Sequence, residues 1–277
     1  DAAKIAQDMG AKIVGLGAFT SVVGDGGRTI AQNVDIAITT GNSFTVATAV
    51  DGAVKAARLM DIDPAAASVA VVGAAGSIGR TCAQILSRQA AHITLVGLAT
   101  DPLEKVAEEL RTFGSAEIGI SSNVEQGIRE ADIVVTVSSA TDAIVEPSYI
   151  KTGAVVCDVA RPRDVSKRVV EERDDVLVID GGVVAVPGDV EFNFSFGFPP
   201  KTAYACMSET MALSLEARYE CFTLGKELTL QQVEEISAIC SKHGFELAGF
   251  RSFEKAVTDE QIETIRQNAK RRKSRAK

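Results

Sequence analysis

The sequence predicts an α/β fold: a doubly wound parallel sheet, with a second, mainly helical part built from both chain ends. Three observations predict it. Between residues 68 and 180, short apolar runs rich in Val and Ile alternate with amphipathic stretches, the rhythm of a parallel sheet covered by helices. The first of these runs leads directly into three closely spaced glycines. The segments on either side of the unit carry helical spacing instead.

The elements follow in order. Residues 42–62, NSFTVATAVDGAVKAARLMDI, read as a long helix. Val46, Ala49, Val50, Ala53, Val54 and Ala57 keep one face small and apolar, and Asn42 or Ser43 is a suitable N-cap after Gly41. Strands are expected at SVAVVG (68–73), HITLVG (92–97), AEIGI (116–120), ADIVVTV (131–137), GAVVCDV (153–159) and DVLVID (175–180). Most do not alternate cleanly, as expected of strands buried on both faces. Helices are expected at 77–90, 101–113 and 123–130, the second with Asp101 as N-cap and Pro102 at the first helical position. Further helices are expected at 201–221, 229–243 and 258–269. Residues 46–190 then form the sheet domain, and 1–45 with 191–277 form the helical substrate part, with the site expected between them.

Composition excludes several classes. The 277 residues are 46% hydrophobic and 24% charged, ordinary for a globular protein. Lys plus Arg is 29 and Asp plus Glu is 37, a net charge of −8, which argues against a nucleic-acid surface. One basic cluster, AKRRKSRAK, closes the sequence; it reads as a solvated, frayed tail, or alternatively as a docking strip for an acidic partner. No uninterrupted apolar run approaches about 18 residues, so no transmembrane segment is expected. The sequence opens without Met and shows no signal peptide, which leaves room for an upstream part. The cysteines, 82, 157, 206, 221 and 240, are odd in number and form no C-x-x-C; a reducing, cytoplasmic setting and no metal site fit that usage. With only His92 and His243, any catalysis works largely without histidine.

VAVVGAAGSIGR places Gly73, Gly76 and Gly79 after a strand and at the mouth of a helix. This is the setting of a Rossmann-like dinucleotide loop. The glycines allow a tight turn, close backbone approach to a pyrophosphate and close helix–strand packing, and the helix N-terminus supplies N–H donors. Gly73, Ala75, Gly76, Ser77, Ile78 and Gly79 are the expected pyrophosphate contacts. Ser138, Ser139 and Ala140, past the fourth strand, are expected on the ribose side. Gly181 and Gly182, past the sixth, are expected where backbone approaches the nicotinamide. An acidic residue after the second strand would favour NAD and an arginine NADP. That stretch, VGLATDPLEK, leaves the choice open, since Thr100 can bond either ribose.

In VEFNFSFGFPPKTAYACMSET (190–210), Phe192, Phe194, Phe196 and Phe198 fall on every second residue. In a strand they would share one side, opposite Asn193, Ser195 and Gly197. Such a strand either faces a core or walls an apolar channel. Cys206 falls early in a helix expected from about Pro200, where the N-terminus favours thiolate. Tyr204, Met207, Met211 and Leu215 make that helix's apolar stripe, with Cys206 on the other side near Glu209, Thr210 and Leu213. Glu209 is set either to orient the thiol or to face solvent. The residues leave two roles open for Cys206: a small buried apolar side chain, or a nucleophile that takes an acyl group for hydride reduction.

Six stretches, GLGAFTSVV (15–23), TTGNSFT (39–45), VAVVGAAGSIG (69–79), DGGVV (180–184), ACMSETMALSLE (205–216) and KHGFELAG (242–249), run through nearly the whole chain. In that order they resemble the cyanobacterial long-chain acyl-[acyl-carrier-protein] reductases, which form fatty aldehydes. The resemblance implies a Rossmann-like middle domain, NADPH as cofactor and Cys206 as the acyl-carrying residue. NADH stays open, because family members commonly offer Arg near Thr100 and this chain does not. The resemblance also implies an acyl carrier protein or CoA thioester as partner, an aldehyde-consuming enzyme downstream, and a place in cytoplasmic lipid metabolism. Thr20, Ser21, Thr40 and Asn42, polar residues in glycine-containing loops, are expected at the acyl carbonyl or carrier, or in turn and capping duty. The expected function is NAD(P)H-dependent reduction of an acyl thioester to an aldehyde through acyl-cysteine. The alternative is a dehydrogenase of a small hydroxy or amino acid like the shikimate dehydrogenases, using a base such as Lys12, Lys201 or Asp35. A non-catalytic nucleotide-sensing module stands third.

Overall fold

The computed structural model describes residues 1–17, 19–22, 24–193 and 199–275. The chain divides into two compact units, Asp1–Thr48 with Gly182–Ala248 and Ala49–Gly181 with Gly249–Lys277. The division falls inside the long helix, which runs Asn42–Leu59.

The second unit is built on a six-stranded parallel sheet. Its strands lie in the order Glu117–Ser121, His92–Val96, Ser68–Val72, Ile133–Thr136, Val155–Asp158 and Leu177–Asp180. Every residue of the last three strands is buried, which is why the sequence there reads as continuous Val and Ile rather than as alternation. Glu117–Ser121 lies at the sheet's edge and has no fully buried residue, matching its polar ends. The helix Ser77–Leu86 buries Cys82, Ala83 and Leu86, and the helix Thr100–Arg111 buries Leu103, Val106, Ala107 and Leu110, the i, i+3, i+4, i+7 stripe of an amphipathic helix. The latter helix does not begin as expected. Ala99, extended at φ −132° and ψ 138°, is its N-cap, and Asp101 lies inside the first turn.

The same unit takes in residues 249–277, which the sequence reading grouped with the helical part. A hairpin, Phe250–Ser252 with Lys255–Val257, and the helix Asp259–Arg275 are tied to it by ion pairs and hydrogen bonds. The Glu254 N–H donates to Asp180 Oδ2 at 3.0 Å. Lys270 Nζ lies 2.7 Å from Asp61, and Arg272 2.5 Å from Asp174. The closing basic cluster is therefore helical as far as Arg275 rather than frayed. Arg173 donates to both oxygens of Asp175, at 2.8 and 3.0 Å, and to the carbonyls of Pro147 and Ile150. Burial alone would raise the Asp175 carboxyl, but the hydrogen bond and charge of Arg173 outweigh it and hold it below its ordinary value.

The first unit carries short strands that the sequence did not mark. Ile13–Gly15 pairs in parallel with Ala37–Thr39. Val183–Ala185 lies antiparallel between Thr202–Tyr204 and Glu246–Leu247. Two or three residues are too few to show a period. The helices Ala205–Leu215 and Leu230–Lys242 complete the unit, and Ile13, Phe44, Val184, Ala203, Leu213 and Ile236 are among its core. The second helix opens with a capping box between Thr229 and Gln232, which answers two orphan N–H groups at once. The first starts at Ala205, not near Pro200, because residues 202–204 are taken by a strand. Its buried face is Ala205, Ser208, Glu209, Ala212 and Leu213. Leu215, expected on the core stripe, is 57% exposed.

The phenylalanine run is not a strand where it is described. Phe192 packs, partly buried, against the core of this unit, and Asn193 has φ +51°, outside the extended region. Phe194, Phe196 and Phe198 lie outside the described residues. Among the described residues no helix is long and apolar enough to cross a membrane, and no group of His, Cys, Asp and Glu is arranged to hold a metal ion.

Candidate functional sites in the two units

In the sheet unit the strand order reverses between Ser68–Val72 and Ile133–Thr136. A ligand crevice opens at the carboxyl ends of strands at such a switch point. Gly73 ends the first of these strands at φ +83°, and a Cβ there would lie 2.9 Å from the backbone of Ser138, past the end of the second. Gly76 caps the helix Ser77–Leu86. A Cβ on Gly79 would overlap the Gly73 carbonyl oxygen and lie 2.9 Å from Val137. A side chain at Gly73 or Gly79 would run into this backbone or Val137, so the close strand–turn–helix packing that shapes the cradle requires glycine at both. The loop therefore fits a pyrophosphate seated on the helix N-terminus, with Ala75 and Gly76 exposed and Ser77 and Ile78 half-buried at its rim.

Ser138 is fixed from behind. Its N–H and hydroxyl donate to Asp164 at 2.9 and 2.5 Å, and its oxygen accepts the Ala140 N–H at 3.1 Å. Ser139 is exposed beside it, and Thr100 is exposed past the end of His92–Val96. Gly181 follows the strand Leu177–Asp180, where a Cβ would lie 2.6 Å from Val159, so packing on the neighbouring chain already requires glycine there. Gly182 is grouped with the other unit, and its carbonyl accepts the Ala205 N–H at 2.7 Å.

The sequence did not mark the carboxylates beneath this edge. Asp158, 1% exposed, accepts from the Thr136 hydroxyl at 2.9 Å and the Ala160 N–H at 3.1 Å. Burial pushes its carboxyl up to about 6, partly offset by the Arg161 charge and the Thr136 hydrogen bond. Burial also raises Asp164, against the pull of Ser138. Their signal in the sequence is the polar pair in CDVARPRD, at the end of a run otherwise buried.

In the other unit, three separated segments meet at Cys206, the second residue of its helix. Gly41 has φ +74°, and a Cβ on it would overlap Cα and Cβ of Cys206 and lie 2.6 Å from its carbonyl oxygen. A Cβ on Gly17 would lie 3.7 Å from the Cys206 sulfur. One helical turn on, a Cβ on Gly15 would overlap the Thr210 hydroxyl. Gly17 thus lies beside the thiol, and Gly41 lies against the Cys206 main chain and Cβ. Cys206 is half-buried, whereas Cys82, Cys157 and Cys240 are buried and Cys221 is exposed. Burial pushes the Cys82 thiol up to about 12 and also raises Cys157 and Cys240, which makes those three poor nucleophiles.

Of the polar candidates near this thiol, the Thr20 hydroxyl donates to the Gly17 carbonyl at 2.7 Å. Ser21 is buried at 6% exposure, Thr40 is fully buried with its hydroxyl 3.1 Å from that of Thr223, and Asn42 is 6% exposed. Thr40 and Asn42 flank Gly41. Glu209, expected either to orient the thiol or to face solvent, is fully buried, which overturns the solvent-facing alternative. It accepts from Thr39, Ser43 and Thr223 hydroxyls at 2.6, 2.5 and 2.8 Å and from the Phe44 N–H at 3.1 Å. Of the three bases considered for a hydroxy-acid dehydrogenase, two have partners elsewhere: Lys201 lies 2.7 Å from Asp189, and Asp35 accepts from Gln7 at 3.4 Å.

Comparison with known proteins bears on both units. The family model described as shikimate / quinate 5-dehydrogenase matches residues 55–181, the sheet with its glycine loop. Together with the cradle at Gly73 and Gly79, this makes the second unit a Rossmann-like, NAD(P)-binding domain of the oxidoreductase kind. The chain is 32% identical over 260 residues to the aminotransferase PigE of a Serratia species, covering 91% of this chain and 30% of that protein. It is 28% identical over 263 residues to the long-chain acyl-[acyl-carrier-protein] reductase of Synechococcus elongatus, covering 87% of this chain and 73% of that protein. Among solved structures, a dipicolinate synthase chain from Bacillus halodurans aligns with a TM-score of 0.43 at 19% identity, over 61% of this chain and 58% of that one.

Proposed function

We propose that the chain reduces an acyl thioester to an aldehyde, with Cys206 as the acyl acceptor. The observation that carries this reading is a half-buried cysteine at the start of a helix, with Gly17 beside its sulfur and Gly41 against its backbone and Cβ. Glycine at 41 lets that backbone lie directly against Cys206, and glycine at 17 keeps side-chain bulk away from the sulfur. Similarity to the acyl-carrier-protein reductase over most of the chain supports the same substrate class.

The thiolate of Cys206 attacks the thioester carbonyl. The carrier thiolate leaves and takes a proton, and the acyl group stays on the sulfur. NADPH, or NADH, when bound supplies the hydride that takes this acyl group to the aldehyde. Gly73, Ala75, Gly76, Ser77, Ile78 and Gly79 would hold its pyrophosphate, with Ser138, Ser139, Ala140 and Thr100 toward its riboses. Release of the aldehyde returns the Cys206 thiolate. Thr20, Ser21, Thr40 and Asn42 line or brace the loops through which the acyl carrier would approach, and Phe192 contributes apolar surface for the chain. An acyl carrier protein or CoA delivers the substrate, and an aldehyde-consuming enzyme takes the product.

The shikimate-dehydrogenase reading rests on the matched sheet. That sheet defines cofactor binding rather than substrate, and Lys201 and Asp35 have partners elsewhere. Incubation with a long-chain acyl thioester in the absence of dinucleotide, followed by peptide mass analysis, separates the two readings. An acyl group on residue 206 is expected, lost together with aldehyde formation in Cys206→Ala. Aldehyde formation retained by Cys206→Ala overturns the proposal.

A further inference from the structure

Among the buried ionisable side chains that the mechanism above leaves unused, Glu209 is carried on the helix of the thiol. A carboxylate taken fully out of water is costly unless its lone pairs are answered. Here three hydroxyls and one N–H answer them, at 2.5–3.1 Å. The donors are placed unusually. Thr39 and Ser43 stand two residues before and two residues after Gly41, the glycine whose backbone presses on Cys206. Glu209 itself lies one turn on from Cys206 in the same helix. The carboxylate thus grips both flanks of the Gly41 turn from the helix that carries the thiol.

The second glycine wall hangs from the same grip. Thr39 pairs with Gly15 across the two short strands, and its carbonyl accepts the Leu16 N–H at 2.7 Å. Holding Thr39 therefore also fixes the strand end that leads to Gly17, beside the sulfur. Thr223 closes the arrangement: its hydroxyl lies 2.9 Å from that of Thr39 and its N–H donates to Thr39 at 3.2 Å.

We propose that Glu209 is the positioning residue of this site: its buried carboxylate sets the Gly41 backbone against Cys206 and the Gly17 backbone beside its sulfur. The proposal rests on Cys206 as acyl acceptor. Glu209 touches no substrate and transfers no proton in it. Its effect is on the orientation of the reacting group, where a misplacement of about 1 Å can cost on the order of 100-fold in rate.

Glu209→Gln tests this, because the amide keeps the shape but must turn an NH2 toward donors on one side of the grip. Three readouts are taken on the full chain: the rate and KM of Cys206 acylation by a long-chain acyl thioester without dinucleotide, alkylation of residue 206 by iodoacetamide relative to exposed Cys221, and NADPH binding. Acylation at saturating thioester is expected to fall by about tenfold or more with KM little changed. The 206-to-221 alkylation ratio should change, and NADPH binding should stay as in the parent chain. A merely structural role would move NADPH binding or the KM together with the rate. Where Glu209→Gln yields no folded protein, Ser43→Ala, which removes one donor, should give a smaller change in the same direction. Parental acylation and a parental alkylation ratio in either folded variant overturn the proposal. If the parent chain never carries an acyl group on residue 206, the functional reading falls, and the alkylation ratio alone still decides whether Glu209 sets the surroundings of the thiol.

Discussion

Gly73 and Gly41 do the same mechanical job in the two units: each lets one stretch of backbone press against another. They differ in what brings the partners together. Gly73 meets Ser138 because both end adjacent strands of one parallel sheet, an encounter that any repeated strand–helix unit produces. Gly41 meets Cys206 because a strand pair, a helix and a loop from far apart in the chain are gathered on one carboxylate. The first site is a product of regular architecture and should tolerate local damage elsewhere. The second depends on several tertiary contacts at once and should be more brittle.

The most disruptive way to press this contrast is Gly41→Ala. The residue would need φ +74° and would drive its Cβ into the Cys206 backbone. A left-handed alanine and overpacking together cost about 3–5 kcal/mol. Thermal unfolding should show that loss, and acylation of residue 206 should vanish. Gly73→Ala should be milder, since its Cβ would lie 2.9 Å from the Ser138 backbone, a looser contact than the 2.3–2.6 Å at Gly41. It should cost about 2 kcal/mol and weaken NADPH binding on the order of tenfold or more by calorimetry, while acylation of Cys206 without dinucleotide continues. If Gly73→Ala instead silences acylation, the two sites are not separable and the contrast fails.

A pH titration sharpens the contrast at lower amplitude. The Asp158 carboxyl is raised from 3.8 to about 6 by burial, so the folded state holds this proton more tightly than the unfolded one. Stability from that group is present below about pH 4 and is lost as pH rises to about 6, an effect of about 3 kcal/mol. Asp164, raised for the same reason, adds to it in the same sense. Hydrogen exchange between about pH 4 and 6.5 should show Ile133–Thr136 and Val155–Asp158 losing protection, with Val183–Ala185 in the other unit little changed. Asp158→Asn should flatten the trend; an unchanged trend assigns it to other groups.

How much of this was legible depends on how local each signal is. The six sheet strands were readable because burial on both faces writes an unbroken apolar run. The glycine loop was readable because strand, turn and helix occur within a dozen residues. Asp101 was misread as a cap because the Asp-Pro pair is a genuine local signal, overridden by the extended backbone at Ala99. The phase of the Cys206 helix was misread for a subtler reason. Its buried face carries Ser208 and Glu209, and a reading that follows apolar residues selects Met207, Met211 and the exposed Leu215 instead. A charged residue marks a buried face only when its hydrogen-bond donors, here on Thr39, Ser43, Phe44 and Thr223, are already known.

Neither unit is made from one continuous stretch of chain. During vectorial synthesis the thiol unit begins first but waits for residues 182–248, and the sheet, begun second, receives its hairpin and final helix only after that. Neither unit can therefore close before its second segment has been made. A truncation after residue 248 would leave all the residues of the thiol unit but take from the sheet unit the contacts that Glu254, Lys270 and Arg272 make with Asp180, Asp61 and Asp174.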